Sequence, residues 1–326
     1  MQIYAIAFIS ALVIGIILFY LVTKVFFNPP VFKDKNNISN LGGLVLSLSF
    51  ITVFFLFSLY QKLSLSADFI YILIFSFIVW LVGFIDDWRE LSLRNKVVIQ
   101  TIIGILFLTK AESIQIYFLP YWANYLISFF WIIGITNVFN LLDIGDGLCG
   151  GISLIVSLSF FTVSFMNSDW LLAAVFASLS GALFAFLFFN FSPAKILMGN
   201  SGSHFLGFLF AAASMYGKYA THETPLALFV PFLILAFPII DTAYLVIIRV
   251  KKNILPLKKS NDHIFFHFLA SGKSERIVLF KIYFACLLWC LGSILLNLGM
   301  NLTALAVVVL AMLFSLRLVV YAARSA

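Results

Sequence analysis

The chain has 326 residues, 63% of them hydrophobic and only 10% charged, with a net charge of +7. Soluble domains are about 45–50% apolar and about 25% charged, so an ordinary soluble fold is excluded. In so apolar a chain the basic excess reports membrane topology first and gives no ground for a nucleic-acid partner.

A membrane-crossing helix needs about 20 mostly apolar residues. Eleven such runs are predicted in chain order, at 3–25, 42–60, 69–85, 97–109, 122–139, 150–166, 170–189, 204–217, 226–248, 278–297 and 302–321. The expected fold is therefore all-α: a polytopic membrane protein of about eleven transmembrane helices, one domain over 1–326. The run at 97–109 is the shortest. No small-residue cleavage site follows the first run, which predicts a retained span. Loops placed on alternating sides put 17 Lys and Arg residues on one face against Lys62, Lys110 and Lys218 on the other. The positive-inside bias makes the richer face cytoplasmic and leaves the N-terminus outside. The segments Asn28 to Gly43, Asp86 to Lys96, Asn137 to Gly151, Asn190 to Ser203 and Arg249 to Gly272 all fall on that face. Clustering of the polar motifs on one face predicts a cytoplasmic active site at the membrane surface.

Asp86 and Asp87 end the third run, and adjacent carboxylates repel unless a cation or base lies between them. Adjacent helical residues point about 100° apart, so one carboxylate can face a metal and the other a substrate. The bland alternative is a solvated helix end. Lys96 opens the fourth run, where it serves either as a membrane anchor or as a contact to phosphate. Asn137, Asn140, Asp143 and Asp146 close the fifth run, where ionisable residues are costly and mark sites. The i, i+3 spacing of Asp143 and Asp146 would put both on one face of a helix, within reach of a common cation. Gly145 and Gly147 allow the backbone to turn there. The stretch Phe191 to Ser203 reads as a Gly/Ser loop entering a helix, whose N–H groups favour anionic oxygens. Asn200 stands in it where a metal-binding carboxylate would be useful. Asp241 lies inside the ninth run, with a bond to Thr242 or a neighbouring helix as its structural alternative. Residues 249–277 form a basic loop holding His263 and His267. That loop suits anionic headgroups as well as an anionic substrate. Cys149, Cys286 and Cys290 have no metal-ligand spacing; the last two read as packing residues. His204 and His222 carry no assigned role.

On these motifs the chain resembles the polyprenyl-phosphate N-acetylhexosamine-1-phosphate transferases, from about Asn28 to Gly272. Paired aspartates followed by Leu-Ser and a lysine match Asp86, Asp87, Leu91, Ser92 and Lys96. The family's Asn-x-x-Asn-x-x-Asp-Gly-x-Asp-Gly-Leu pattern matches Asn137, Asn140, Asp143, Asp146, Gly147 and Leu148, with its first glycine moved one place to give Ile144-Gly145. Its Gly-Asp-x-Gly-Ser falls on Gly199 to Ser203, with Asn200 at the Asp place. Its Asp-Thr matches Asp241-Thr242. In its histidine-rich motif His263 is retained, Phe265 and Phe266 stand at other His places, and His267 stands at an Arg place. Gly42-Gly43 match an early Gly-Gly, but the His before it is absent, leaving Lys33 and Lys35.

The resemblance implies transfer of a sugar 1-phosphate from a UDP-sugar to a polyprenyl phosphate in a bacterial inner membrane. It implies Mg²⁺, with Mn²⁺ as a substitute, held by Asp143 and Asn200. It assigns Asp86, Asp87 and Asp143 to catalysis and Lys96, Asn137, Asn140, Asp146, Ser203 and His263 to substrate. The implied partners are the two substrates, the lipid bilayer and, as an open option, a second copy in a homodimer. Two other readings stay open: a catalytically impaired paralogue acting as a membrane scaffold, which Asn200 favours, and a secondary transporter. A transporter would show inverted repeats and midplane sites.

Overall fold

The computed structural model describes residues 1–24, 32–33, 38–116, 119–220, 223–253 and 262–324. Asn28, Lys35, His222, Lys258 and Lys259 lie outside the described residues. Among those described, the chain is all-helical apart from two isolated bridges, Lys33 with Ser39 and Ser39 with Ile196.

The helices in order are α1 (Gln2–Lys24), α2 (Gly42–Tyr60), α3 (Ala67–Trp88), α4 (Leu93–Leu108), α5 (Tyr121–Leu142), α6 (Leu148–Met166), α7 (Trp170–Asn190), α8 (Gly199–Tyr216), α9 (Val230–Ile234), α10 (Ala236–Lys251), α11 (Ile264–Ala270), α12 (Glu275–Asn297) and α13 (Asn301–Arg324). Eight are long and apolar enough to cross a membrane: α1, α2, α3, α5, α6, α7, α12 and α13. The outward surfaces of these helices carry exposed Ile, Leu and Phe, as a lipid-facing surface requires.

Every expected run falls on a helix, but not all in the expected form. The run at 226–248 is broken: Pro225–Ile234 and Ala236–Lys251 meet at 59°. Pro238 has no N–H for the Ile234 carbonyl one turn back, which interrupts the ladder. The Cys290 thiol donates to that carbonyl instead, at 3.8 Å, and the Ser293 hydroxyl donates to Val230 at 3.2 Å. Cys290 thus satisfies the carbonyl freed at the bend, and Ser293 adds a second tie from α12 to α9. Counted as one span, the bent pair brings the number of candidate spans to nine. α4 has 16 residues and α8 begins with a polar turn, so neither meets the length and apolarity of a full span.

Helix α4 starts earlier than its apolar run because Ser92 caps it, accepting from the Asn95 N–H at 3.3 Å. This puts Lys96 in the first turn, close to the end of α3. Helix α8 likewise starts five residues before its expected apolar run, so Gly199 to Ser203 are its first turn and not a loop. From Phe205 to Ala213 every residue of α8 is buried, which marks it as the central helix, wrapped by α2, α3 and α5. The basic segment before α12 also contains the short helix α11, where a loop was expected.

Helix α1 lies on α7 through Ala7, Ala11, Gly15 and Phe19, spaced one turn apart. A Cβ at Gly181 of α7 would stand 2.2 Å from the Phe8 carbonyl oxygen, too close for any side chain. Gly181→Ala should therefore lower the melting temperature by an overpacking cost of about 1–3 kcal/mol. Gly134→Ala, on a face with nothing within 4 Å of the added atom, should not. Thermal melting of the two variants in detergent checks the contrast.

Candidate active site

The polar motifs meet through a series of contacts at the ends of α3, α5 and α7 and the starts of α4, α6, α8 and α11. The two adjacent aspartates of α3 part company there. Asp86 is buried and turns toward α4: its Oδ2 lies 2.7 Å from the Lys96 Nζ, and its Oδ1 accepts from the Leu91 N–H at 2.8 Å. Asp87 turns the other way. Its two oxygens accept from the Asn200 and Ser201 N–H groups at 2.7 and 2.9 Å, at the open end of α8. A helix N-terminus leaves N–H groups unsatisfied and carries partial positive charge. The anionic oxygen expected at this junction is thus supplied by the protein itself.

That docking depends on a glycine. Gly199 has φ +75°, and a Cβ on it would lie 2.8 Å from Asp87 Oδ2 and 2.6 Å from the Asn40 carbonyl. A side chain would be strained by the backbone and blocked by both neighbours.

Asp143 and Asp146 do not share a helical face, contrary to the spacing argument. Helix α5 ends at Leu142, Asp143 is its C-cap, and Asp146 lies in the turn before α6. The two asparagines remain on α5. Asn137 donates to Gln100 Oε1 of α4 at 3.0 Å and to the Ile133 carbonyl at 2.8 Å. Asn140 Oδ1 faces the buried Ser203 hydroxyl at 3.4 Å, joining α5 to α8, and Ser203 also donates to the Gly199 carbonyl at 3.0 Å. Asp146 Oδ2 accepts from the Ala194 N–H at 2.8 Å, tying the turn to the segment after α7.

Residues to which the motif reading gave no role hold this turn. Asn190 Oδ1 accepts from the Gly147 N–H at 3.0 Å, and its amide donates to the Ile196 carbonyl at 2.9 Å. The Tyr283 hydroxyl of α12 donates to the Gly147 carbonyl at 2.6 Å. Asn190 and Gln100 were detectable as amides in otherwise apolar runs; Tyr283 gave no such signal. Ser192 donates to the Glu275 carboxylate, and Arg276 donates to the Ser192 carbonyl at 3.2 Å, fastening the same segment to α12.

The histidine segment joins from α10 and α11. His263 caps α11 and is fully buried, with its Nδ1 2.9 Å from Asp241 Oδ2. Asp241 therefore pairs across helices, while the Thr242 hydroxyl has no hydrogen-bond partner among the described residues. The Nε2 atoms of His263 and His267 are likewise buried without one. Burial, followed by the Lys252 charge, pushes the His267 imidazole below its ordinary value. His267 thus favours the neutral form, unlike an arginine at that place. Gly145 comes up against Phe265, whose ring would stand 2.5 Å from an added Cβ. The displaced glycine of the aspartate turn and the aromatic in the histidine segment are in direct contact.

The arrangement so far is that of a polytopic membrane protein with a polar, carboxylate-bearing site where its helix ends meet. Residues 69–218 match the family model for glycosyl transferase family 4. The matched stretch runs from α3 through α8, and Asp241 and His263 lie beyond it. The chain is 28% identical over 265 residues to a probable undecaprenyl-phosphate N-acetylglucosaminyl 1-phosphate transferase of Bacillus subtilis (strain 168), covering 79% of this chain and 73% of the relative. It is 32% identical over 199 residues to a phospho-N-acetylmuramoyl-pentapeptide-transferase of Streptococcus pneumoniae (strain CGSP14), covering 56% and 60%. A protein of the same description from Lactobacillus johnsonii (strain CNCM I-12250 / La1 / NCC 533) is 32% identical over 204 residues, covering 56% and 63%. The chain thus spans less than two thirds of the latter two.

The bonds of Asp87 give it a measurable role apart from chemistry. Asp87→Ala removes both acceptors from the end of α8 and should cost about 1–3 kcal/mol for the buried donors left unpaired. Thermal melting should show a clear drop, with Asp87→Asn in between because its amide keeps one acceptor oxygen.

Proposed function

We propose that this chain transfers a sugar 1-phosphate, of the N-acetylhexosamine class, from a UDP-sugar to a polyprenyl phosphate, releasing UMP. The product, a polyprenyl-diphosphate sugar, would begin a lipid-linked envelope glycan. The names of the relatives support the reaction class. The observation that carries the reading is the junction itself. Asp87 to α8, Asn140 to Ser203, Asp146 to Ala194, Gly145 against Phe265, and Asp241 to His263 link the separate polar motifs. The basic distribution supports a junction facing the cytoplasm, where nucleotide sugars are, in a bacterial inner membrane with the N-terminus outside and about eleven spans.

In this reaction an oxygen of the polyprenyl phosphate forms a bond to the β-phosphorus. The P–O bond to the bridging oxygen breaks, and UMP carries that oxygen away; the sugar C1–O bond is untouched. Two polyanions must be brought together, so the protein's task is alignment and positive charge. Lys96, held in place by Asp86 and still partly exposed, is assigned to the acceptor phosphate. Asp86 orients it, while Asp87 acts by setting the position of α8. Asn140 and Asp146 are assigned to the nucleotide. His263 is assigned to the nucleotide-sugar phosphates through Nε2, the atom Asp241 leaves available.

Asp143 and Asn200 offer hard oxygen donors of the type Mg²⁺ takes, with Mn²⁺ as a substitute. Mg²⁺ is usually bound by one or two carboxylates plus substrate phosphates and waters. Among the described residues no three His, Cys, Asp or Glu side chains are grouped to hold a metal, so this donor set suits an ion shared with the diphosphate. Such an ion would supply Lewis-acid stabilisation of the diphosphate charge.

Asp143→Ala should reduce UMP release by about 10²–10³-fold, the usual cost of one preorganised electrostatic contact, with the fold intact. The assay is UMP release from a panel of UDP-sugars with polyprenyl phosphate and Mg²⁺. A near wild-type rate would contradict the assignment.

A second reading follows from Asn200, which lacks the charge of the family's Asp: a weakened transferase, or a scaffold. Asn200→Asp should lower the Mg²⁺ concentration needed for half-maximal UMP release. A higher requirement would mean that the site is built around the neutral amide, with the extra carboxylate repelled by its neighbours. No release from either well-folded form with any sugar would favour the scaffold.

A further inference from the structure

A second place in the molecule gathers positive charge, away from the aspartate motifs. Lys273, Lys281 and Arg317 line a single cavity of about 360 Å³, together with Phe268, Phe314 and Tyr321. The three cations come from different segments: the turn after α11, the first half of α12 and the second half of α13. Among the described residues no carboxylate lines the cavity. Its wall is ordered by rings, since Phe268 of α11 stacks on Tyr321 of α13 at 4.5 Å between centroids and Lys281 Nζ lies 5.2 Å from the Phe268 centroid.

Depth makes this costly without a ligand. Lys281 stands six residues into the candidate span Glu275–Asn297, and Arg317 stands six residues before the end of the candidate span Asn301–Ala323. At 1.5 Å per residue each is about 9 Å inside its helix. The helices are joined by a short turn and pack on each other, and the first end of α12 and the last end of α13 both meet α11. The two cations therefore lie at matched depth from the same end. Charge inside a span is expensive and is normally paired. Interfacial anchors reach separately for water; these converge on one apolar-walled space.

We infer that this cavity binds the phosphodiester headgroup of an anionic membrane phospholipid, with its glycerol and first acyl carbons against Phe268, Phe314 and Leu318. The cations supply the counter-charge, and the rings exclude water from the pair. The lipid would brace α11, the helix capped by His263, against α12 and α13. The inference needs only the membrane character of the chain and stands apart from the transferase reading.

The test uses purified full-length protein in neutral detergent, titrated with dioctanoyl phosphatidylglycerol, dioctanoyl phosphatidylcholine, undecaprenyl phosphate or inorganic phosphate, and read by melting temperature. Phosphatidylglycerol should raise the melting temperature saturably, and phosphatidylcholine and inorganic phosphate should not. At about 1 kcal/mol per basic residue near anionic lipid, Lys281→Gln with Arg317→Gln should require roughly 30-fold more phosphatidylglycerol. Lys281→Arg should retain the response. If the double variant melts low even in phosphatidylcholine, Lys273→Gln carries the test, with a shift of roughly fivefold. An undiminished phosphatidylglycerol response in these variants, or equal stabilisation by phosphatidylcholine or inorganic phosphate, overturns the inference. Stabilisation by undecaprenyl phosphate alone overturns it too and gives the cavity to the acceptor substrate.

Discussion

A carboxylate buried in an apolar, membrane-spanning body has to be paired, and the functional end of this molecule is organised by that requirement. Asp86 and Asp241 are buried beyond the reach of water and Asp87 is half-buried, and an unpaired charge in the buried places costs several kcal/mol. Each one reaches a partner on a different element. Asp86 meets Lys96 of α4, Asp87 the N-terminus of α8, and Asp241 the imidazole of His263. The pairings that neutralise the charges are the same contacts that hold separate helices in register.

Such a network rigidifies a site, because a buried polar group that moves away from its partner is left unsatisfied. Here the rigidity reaches the backbone. The turn between α5 and α6 is gripped at both the Gly147 N–H and the Gly147 carbonyl, by Asn190 and Tyr283. Asp146 anchors the segment after α7 through Ala194. Side chains assigned to substrate are therefore mounted on a frame whose polar groups are largely occupied by one another. Among the exceptions, the Nε2 atoms of His263 and His267 belong to the cap and the body of α11. A helix of seven residues has little stability of its own. It is held by packing on α12 and α13, and its Phe268 also lines the charged cavity.

The departures from the family pattern also gain a physical meaning. The glycine displaced to position 145 faces the ring of Phe265, which stands at a histidine place. Any side chain at 145 would collide with that ring, so the two changes are sterically consistent. At position 267 a histidine replaces an arginine, and its burial favours the uncharged form. The charge available to a phosphate ligand at this end is reduced in two places, at Phe265 and His267, while Asn200 reduces the negative charge available to a metal.

The all-helical membrane class, the position of each apolar run and the roster of polar motifs were legible from sequence, because hydropathy and residue spacing are local properties. The bend at Pro238 was readable in principle, since a missing N–H is a property of the residue, yet continuous apolarity across it predicted one span. The extents of α4 and α8 were not legible from apolarity: Ser92 and Asp87 begin these helices through polar contacts. Only the tertiary structure decided how the aspartates are used. Spacing predicted a shared helical face for Asp143 and Asp146, but the helix ends between them. It likewise left Asp241 with Thr242 or an unnamed helix, whereas its partner His263 is 22 residues away in sequence. A charge in an apolar interior takes whatever partner the packing brings within reach, and packing joins residues that no sequence window contains.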